Sequence, residues 1–369
     1  MPREEARVFA GDKKKKIKHT DFAVVSNDWQ LTQAEIYSPK LKKSFRYSSS
    51  QILEFNPQET IGAIEYMPST DELESSIETE VVFEQPDHPR PDGNYDIHDN
   101  LPKTKNSNEN AIAVIIGNQI YNKAGHVDFA VRDGKAIRKY LIEVLGYQED
   151  NILFYSNIHK SDFEEIFGSH ENFRGKLFSM AQKGESDIFV YYSGHGAPGL
   201  NNQKAYFLPV NSDPSAAEFS GYSLNLFLQN LAKIPANSKT VVIDACFSGI
   251  DIIDGISAPP PVRIRQRTNE YDDGKTIVMT SSKSNQVSTW YYGKEHGLFT
   301  YFFLKAMHDY ENSDSNEDGQ LTFQEIFNYV SDNRDGVPYC ASILKNGVMQ
   351  TPVVVMGERR LNEEFVSYK

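Results

Sequence analysis

The stretch 241–249, VVIDACFSG, is a continuous apolar run that ends in Cys246 and a turn. A second stretch, 187–196, DIFVYYSGHG, has the same build and ends in His195 between two glycines. Apolar runs of this kind predict strands that are buried on both faces of a parallel sheet. Open α/β sheets assemble their active sites at the carboxyl ends of such strands. The two stretches therefore predict an α/β protein with reactive side chains at two strand ends.

From residue 111 onward, apolar runs alternate with amphipathic segments of helical spacing. The strands are predicted at 111–118, 151–156, 187–196, 240–249, 276–282 and 351–357, and the helices within 133–145, 162–182, 224–231, 298–309 and 323–330. This alternation predicts an α/β fold with a mostly parallel six-stranded sheet that carries helices on both faces.

The composition limits the classes of function. The chain has 369 residues and a net charge of −13, which argues against nucleic acid or an anionic membrane as the main partner. Its two cysteines, Cys246 and Cys340, exclude a disulfide framework and favour a reducing compartment. The N-terminus lacks an apolar signal segment, and no apolar run approaches the roughly 18 residues of a membrane span. We expect a soluble, cytoplasmic protein.

The first hundred residues differ from the rest of the chain. Short alternating pieces such as DFAVVS and KSFRYSSSQILEF indicate strands, and an acidic, then Pro- and Asn-rich stretch indicates a linker. We place the domain boundary near residue 105. Residues 1–105 then form a smaller N-terminal region, either a pro-segment or a module that binds a regulator, and residues 106–369 form the main domain.

Cys246 and His195 have ordinary structural interpretations when each is taken alone. Most free cysteines are small buried hydrophobes, and a lone histidine at a strand end is more often structural than catalytic. Asp244, however, lies two residues before Cys246 and so points to the same side of the strand. Gly194 and Gly196 leave room around the imidazole. If the two strands are adjacent and parallel, a thiol and a base that can activate it end side by side.

These motifs resemble those of the caspase/metacaspase/paracaspase group of cysteine peptidases, peptidase C14. The matching stretches are SGHG and DACFSG, together with AIAVIIGNQIY, VDFAVRDGKAI and HGLFTYFFLKAM. The resemblance covers about 110–357 and is closest to the bacterial caspase-like members, the orthocaspases. It implies a caspase-like fold with His195 as general base and acid and Cys246 as nucleophile. The amides of Gly196 and Cys246 would form the oxyanion hole.

The resemblance also implies a substrate class. Caspases cut after Asp and hold it with arginines, whereas metacaspases and paracaspases cut after Arg or Lys and use carboxylates. Here the two corresponding positions are Asp133 and Asp244, and Tyr291 stands where a caspase has an arginine. Carboxylates favour a cationic side chain and repel an acidic one. We therefore expect protein or peptide substrates with Arg or Lys at P1. Asp133 has an alternative role as the N-cap of the following helix.

Three adjacent aromatic residues, from Trp290 and Tyr291 to Tyr292, are unusual for a surface loop. In the family this loop lines the substrate cleft, so Trp290 and Tyr291 are candidates for a cleft wall. Packing against a neighbouring loop is an equally weighted alternative.

The segment 314–325, DSNEDGQLTFQE, matches the template of an EF-hand calcium loop. The oxygen ligands would come from Asp314, Asn316, Asp318, Gln320, Thr322 and Glu325. The absence of a second such loop weighs against the match, because EF-hands normally work in pairs. The chemistry requires no cofactor, and calcium is a candidate ligand only.

The connection 250–275 is polar and Pro-rich and contains Arg263, Arg265 and Arg267. An enzyme that prefers Arg would be able to cut itself there, and a flexible loop with incidental arginines is an equally weighted alternative. Two other classes of function stay open at this point. One is a catalytically silent caspase-like scaffold, and the other is a calcium-responsive interaction protein.

Overall fold

The computed structural model describes residues 97–200, 202, 204–248, 271–345 and 347–369, together with the backbone of three earlier strands. The chain forms two compact units, Met1–Val82 and Phe83–Lys369. In the first unit, β1 (Asp21–Val25), β2 (Gln33–Ser38) and β3 (Lys43–Ser48) form an antiparallel sheet in the order β1-β2-β3. β1 and β3 lie in the two pieces whose alternation predicts strands. The domain boundary near residue 105 stays a prediction.

The second unit is built on a six-stranded sheet. Its strands are β4 (Ile112–Gly117), β5 (Ile152–Ser156), β6 (Asp187–Ser193), β10 (Ser238–Asp244), β11 (Thr276–Thr280) and β15 (Val353–Met356). They lie in the order β15-β11-β10-β6-β4-β5, and only β15, at one edge, is antiparallel to its neighbour. The expected six-stranded, mostly parallel sheet is confirmed.

Helices cover both faces of this sheet, as expected. They are α1 (Ala130–Glu143), α2 (Lys160–Phe167), α3 (Lys176–Met180), α4 (Ala217–Ser220), α5 (Leu224–Ala232), α6 (Leu298–His308), α7 (Tyr310–Ser313), α8 (Phe323–Ser331) and α9 (Val337–Leu344). Helices α1, α6, α8 and α9 contribute to the core on one face, and α2, α3 and α5 contribute to the core on the other. No helix in the described part of the chain is long and apolar enough to span a membrane.

The central strands are apolar throughout because both of their faces are covered. In β4, Ala113 and Ile115 face the core that contains α1, whereas Val114 and Ile116 face the opposite core. Alternate side chains of a strand point to opposite faces, so both sets must be apolar. This explains why the strand sequences show continuous apolar runs rather than alternation.

Shorter strands complete the unit. One small sheet contains β7 (Gly196–Pro198), β8 (Ala205–Phe207) and β9 (Tyr222–Ser223). A hairpin joins β12 (Trp290–Tyr291) to β13 (His296–Gly297), and β14 (Gln320–Thr322) pairs with β16 (Glu364–Ser367). The aromatic segment 290–292 therefore begins in a hairpin strand rather than lying wholly in a loop.

Helix α1 begins earlier than Asp133, and its N-cap is Phe129 in a left-handed conformation without a side-chain cap. The alternative role of Asp133 as an N-cap is therefore wrong. Asp133 lies one turn inside the helix, and its carboxylate accepts hydrogen bonds from residues 296 and 297 instead.

Candidate active site

The pairing of β6 with β10 places His195 and Cys246 at the same level of the sheet. The two strands are parallel, and Ser193 lies opposite Asp244 on their last shared rung. His195 and Cys246 each follow that rung by two residues. The Gly194 amide, at 3.4 Å from the Asp244 carbonyl oxygen, continues the contact beyond the strands. The histidine and the cysteine therefore both lie at the carboxyl end of the sheet, on neighbouring strands.

The backbone after the two strands is tightly packed, and Gly196 is the residue that permits this. A Cβ atom at Gly196 would lie 2.7 Å from the Cys246 carbonyl oxygen and 2.5 Å from the Phe247 ring. The Leu208 amide donates to the His195 carbonyl at 3.0 Å, which leaves the Gly196 amide outside the β7–β8 ladder. The two amides expected in the oxyanion hole, those of residues 196 and 246, therefore belong to backbone segments in direct contact.

The His195 ring is held by a main-chain carbonyl. Its Nε2 atom lies 2.7 Å from the Gly125 oxygen. A carbonyl oxygen only accepts hydrogen bonds, so Nε2 carries the proton, and Nδ1 of the neutral ring is unprotonated. Tyr121 packs on the ring at 4.6 Å between centroids, and its hydroxyl accepts a hydrogen bond from the His195 amide at 2.8 Å. Burial raises the pKa of Tyr121 well above its usual value.

Sequence reasoning did not identify Gly125 or Tyr121 as parts of this site. Tyr121 closes the family-like stretch AIAVIIGNQIY, which is the signal that points to it. Gly125 acts through its carbonyl group, which every residue has, so its identity in the sequence carries no signal.

The two carboxylates expected in the S1 pocket meet behind this site. Asp133 and Asp244 are 1% and 6% exposed. A Cβ atom built on Gly297 would lie 3.0 Å from Oδ2 of Asp133 and 2.5 Å from Oδ2 of Asp244. Both oxygens therefore converge on one glycine, whose missing side chain makes room for them.

Each carboxylate accepts hydrogen bonds from a different element. Oδ2 of Asp244 accepts from the hydroxyl of Thr300 at 2.7 Å and from its amide at 3.2 Å, in the first turn of α6. Oδ1 of Asp133 lies 2.5 Å from Nδ1 of His296, and its Oδ2 accepts from the Gly297 amide at 3.0 Å. A carboxylate has about four acceptor positions, so each retains capacity for a ligand.

The two carboxyl groups are difficult to charge together. Burial raises the pKa of Asp133 well above its usual range, although the Gly297 amide and Arg132 act in the opposite direction. Burial, and then the charge of Asp133, raise the pKa of Asp244 to about 7, against the hydrogen bonds from Thr300. Two anions that face one point in a buried site repel each other, and a cation placed there would relieve this repulsion.

A family model described as "Caspase domain", peptidase C14, matches residues 110–354. The chain belongs to this family. Its members are cysteine peptidases, and the expected caspase-like α/β fold is confirmed. Among solved structures, caspase-1 from Spodoptera frugiperda is similar over 73% of this chain and 93% of its own, at 11% identity and a TM-score of 0.42. No curated protein matches the chain.

In this caspase-family chain the aromatic hairpin is partly packed inward. Tyr291 is half-buried and contacts Tyr301 of α6 at 5.2 Å between ring centroids. Trp290 is also half-buried, and the ammonium of Lys345 lies 5.3 Å from its ring. Tyr292 is the exposed member, and its hydroxyl donates to Asp128 at 3.0 Å. A role for Trp290 and Tyr291 in the substrate cleft stays a prediction.

The predicted calcium loop is organised by its own amides. Oδ2 of Asp314 accepts from the Gly319 amide at 2.6 Å, and Oδ1 of Asp318 accepts from the Gln320 amide at 2.8 Å. Glu325 caps α8 by accepting from the Thr322 amide at 2.9 Å. The oxygen donors of the 314–325 loop are of the type that calcium prefers. Within the described ranges, however, no three His, Cys, Asp or Glu side chains are grouped to hold a metal. Calcium binding stays a prediction.

The strand pairing of this loop differs from the usual EF-hand arrangement, in which a second loop provides the partner strand. Here β16 pairs with β14, so that Leu321 lies opposite Val366, and both residues are buried. The candidate autocleavage residues Arg263, Arg265 and Arg267 lie outside the described residues.

Proposed function

We propose that this chain is a cysteine endopeptidase that uses His195 and Cys246 as a catalytic dyad and cleaves after Arg or Lys. The observation that carries the proposal is the common rung of β6 and β10, beyond which both residues follow at the same distance along the chain. Neighbouring strand ends are where a thiol and its base are brought within reach of each other.

In this mechanism the Gly125 carbonyl keeps the proton on Nε2 of His195, so Nδ1 is the base. Nδ1 takes the proton of the Cys246 thiol, and the sulfur attacks the carbonyl carbon of the scissile bond. The imidazolium then donates this proton to the leaving amine, and a thioester remains. Water, activated by the same nitrogen, hydrolyses the thioester and restores the thiol.

The negative charge of the tetrahedral intermediate develops on the former carbonyl oxygen. We assign its stabilisation to the amides of Gly196 and Cys246, because their backbone segments touch and the first amide is outside the β7–β8 ladder. Removal of one such donor typically lowers kcat by about 10²–10³.

The substrate class follows from the charges. Asp133 and Asp244 each hold one oxygen beside Gly297, and a cationic P1 side chain that reached these two oxygens would donate charge-assisted hydrogen bonds to them. An acidic P1 side chain would add a third negative charge to the same buried site, which disfavours it strongly.

A panel of peptides that differ only at P1 tests this proposal, with fluorogenic Arg, Lys, Asp and Gln at that position. We expect cleavage of the Arg and Lys peptides, and its loss in Cys246→Ala and in His195→Ala. A preference for Asp, or full activity in Cys246→Ala, contradicts the proposal. The same panel with calcium or a chelator distinguishes a peptidase from a silent scaffold and from a calcium-responsive interaction protein.

Narrower predictions accompany this function. They are a close relation to the bacterial caspase-like members, a cytoplasmic location, self-cleavage in the 250–275 connection and regulation through residues 1–105. Self-cleavage predicts two fragments on a denaturing gel that disappear in Cys246→Ala.

A further inference from the structure

A chain of three side chains runs from the segment before β4 to the S1 carboxylates. Nε2 of His98 lies 2.8 Å from Nε2 of His296, and Nδ1 of His296 lies 2.5 Å from Oδ1 of Asp133. His296 is fully buried, and His98 is half-buried. His98 and His296 are 198 residues apart in the sequence. The proposed function assigns no role to either histidine.

The direction of these hydrogen bonds is set by the carboxylate. When Asp133 is ionised its carboxylate only accepts, and Nδ1 of His296 then carries the proton that faces Asp133. The second nitrogen of His296 then meets His98, which restricts the orientation of the ring. When Nε2 of a histidine is held in this way, the ring presents Nδ1 in a fixed direction.

Arg132, whose charge also acts on Asp133, and Lys139 both have other partners. Arg132 pairs with Glu295 of the hairpin at 2.8 Å. Lys139 donates to the main-chain oxygen of His98 at 2.6 Å. Tyr301 is near His296, at 6.4 Å between ring centroids, and does not lie between it and Asp133.

His296 consequently decides what Asp133 offers to a substrate. With Oδ1 held by the imidazole, Oδ2 is directed to the Gly297 position, where it meets Oδ2 of Asp244. Without that donor, a carboxyl group that is 1% exposed would keep its proton, because burial disfavours the charged form. The pocket would then present one anionic oxygen fewer to a cation.

We propose that His296, held by His98, is a positioning residue that determines P1 specificity by keeping Asp133 charged and directed at the P1 side chain. This inference rests on the proposed function, because it assumes that Asp133 and Asp244 form the S1 pocket. His296 contacts the carboxylate and His98 contacts His296, so both act through Asp133 and their effect is on selectivity for charge.

The test compares a peptide with Arg at P1 and the same peptide with citrulline, its neutral isostere. The ratio of the two kcat/KM values cancels effects on the dyad, since the dyad acts on both peptides. The variants are His296→Asn, whose amide nitrogen can replace Nδ1, and His296→Gln, whose amide nitrogen can replace only Nε2.

We expect His296→Gln to lower the Arg-to-citrulline ratio at least about tenfold, mainly through KM for the Arg peptide, because one charge-assisted contact is lost. His296→Asn should stay within about threefold of the wild type, because its donor to Asp133 remains. His98→Ala should lower the ratio by an intermediate factor. Equal ratios in all proteins, or equal losses in the Asn and Gln variants, overturn the inference.

His308→Ala is the matched control, because His308 contacts the Asp99 carbonyl at 2.9 Å in the same segment and does not contact Asp133. It should leave the ratio unchanged. If a His296 variant does not fold, His98→Ala still decides, because its side chain is half-buried and lies farther from the core. An unchanged ratio in folded His98→Ala overturns the inference, because the proposed role of His296 depends on the contact that holds its ring.

The two levels of the proposal fail in different ways. If the wild type does not cleave after Arg or Lys, the proposed function itself is wrong. If the wild type prefers Arg over citrulline and the histidine variants share this preference, only the positioning role is wrong.

Discussion

Two neighbouring parts of this molecule are built by opposite means. The proposed dyad is placed by the main chain, through adjacent strands, the Gly125 carbonyl that contacts the His195 ring and a glycine packed against Cys246. The two carboxylates proposed for the S1 pocket are held by side chains from separate elements, and burial makes them difficult to charge. The comparison indicates that steric changes should damage the dyad most, whereas changes of charge should act on the S1 pocket.

The largest effect is expected from Gly196→Ala. Its Cβ atom would lie 2.5 Å from the Phe247 ring and 2.7 Å from the Cys246 carbonyl, so the two backbone segments that carry the proposed oxyanion amides must move apart. We expect kcat to fall by roughly 10²–10³ for every substrate, as on loss of one oxyanion donor. Steady-state kinetics with the Arg peptide measure this.

Gly125→Ala is the matched control for that change. A Cβ atom there meets nothing within 4 Å, and the carbonyl that holds His195 remains. Activity should stay near that of the wild type. Equal activities in the two alanine variants would show that the close backbone contact at Gly196 is irrelevant to catalysis.

Asp244→Asn should have the next largest effect, on selectivity. It removes one S1 charge and keeps an oxygen acceptor for Thr300. We expect the Arg-to-citrulline ratio to fall by about tenfold to a hundredfold, which corresponds to one charge-assisted interaction. Asp128→Asn, at the hairpin, serves as control and should leave the ratio unchanged.

The wild-type ratio should also depend on pH. The pKa of Asp244 is raised to about 7, so the carboxyl group is neutral below that pH and charged above it. Arg selectivity should therefore rise as the pH increases through about 7, and this rise should be smaller in Asp244→Asn, where Asp133 is the remaining carboxyl group. A ratio that falls with pH would contradict an S1 role for this carboxylate.

Asp244→Asn should also raise the stability of the folded protein, although it lowers the selectivity for Arg. A folded-state pKa near 7 against an ordinary 3.8 means that the folded protein loses stability as the pH rises between these values. Three pKa units at about 1.36 kcal/mol each give a gain for the variant of up to about 4 kcal/mol at pH 8. Denaturant unfolding should show this gain at pH 8 and almost none at pH 4.

The smallest effect on activity is expected at the 314–325 loop, which contains neither the proposed dyad nor the two carboxylates. Titration calorimetry should detect calcium binding to the wild type and a loss in Glu325→Gln. Gln324→Glu, at the half-buried neighbouring position, is the control and should bind as the wild type does. The absence of heat in both the wild type and the control would leave Glu325 with its capping role alone.

The part of the site that could be predicted is the part that lies in continuous segments. The strands are visible because burial on both faces requires unbroken apolar runs, and the dyad follows because His195 and Cys246 end two of them. Asp133 and Asp244 were expected in one pocket, and the structure brings them together.

The rest could not be predicted, for physical reasons. Helix α1 begins before Asp133 because Phe129 adopts a left-handed conformation that its residue type does not favour. The His98–His296 contact joins residues 198 positions apart, and a hydrogen bond at that separation has no local pattern. HGLFT was recognisable as a motif, but the sequence did not indicate which of its atoms would contact Asp133.

The segment that carries His98 is fastened through its main chain. The carbonyl groups of residues 97, 98 and 99 accept from Tyr140, Lys139 and His308, respectively. Any amino acid supplies such a carbonyl, so substitutions at the half-buried position 98 would keep these three contacts and change only the side chain that meets His296. Under the role proposed for His98, substitutions at this one position would change the substrate preference without altering the attachment of the segment.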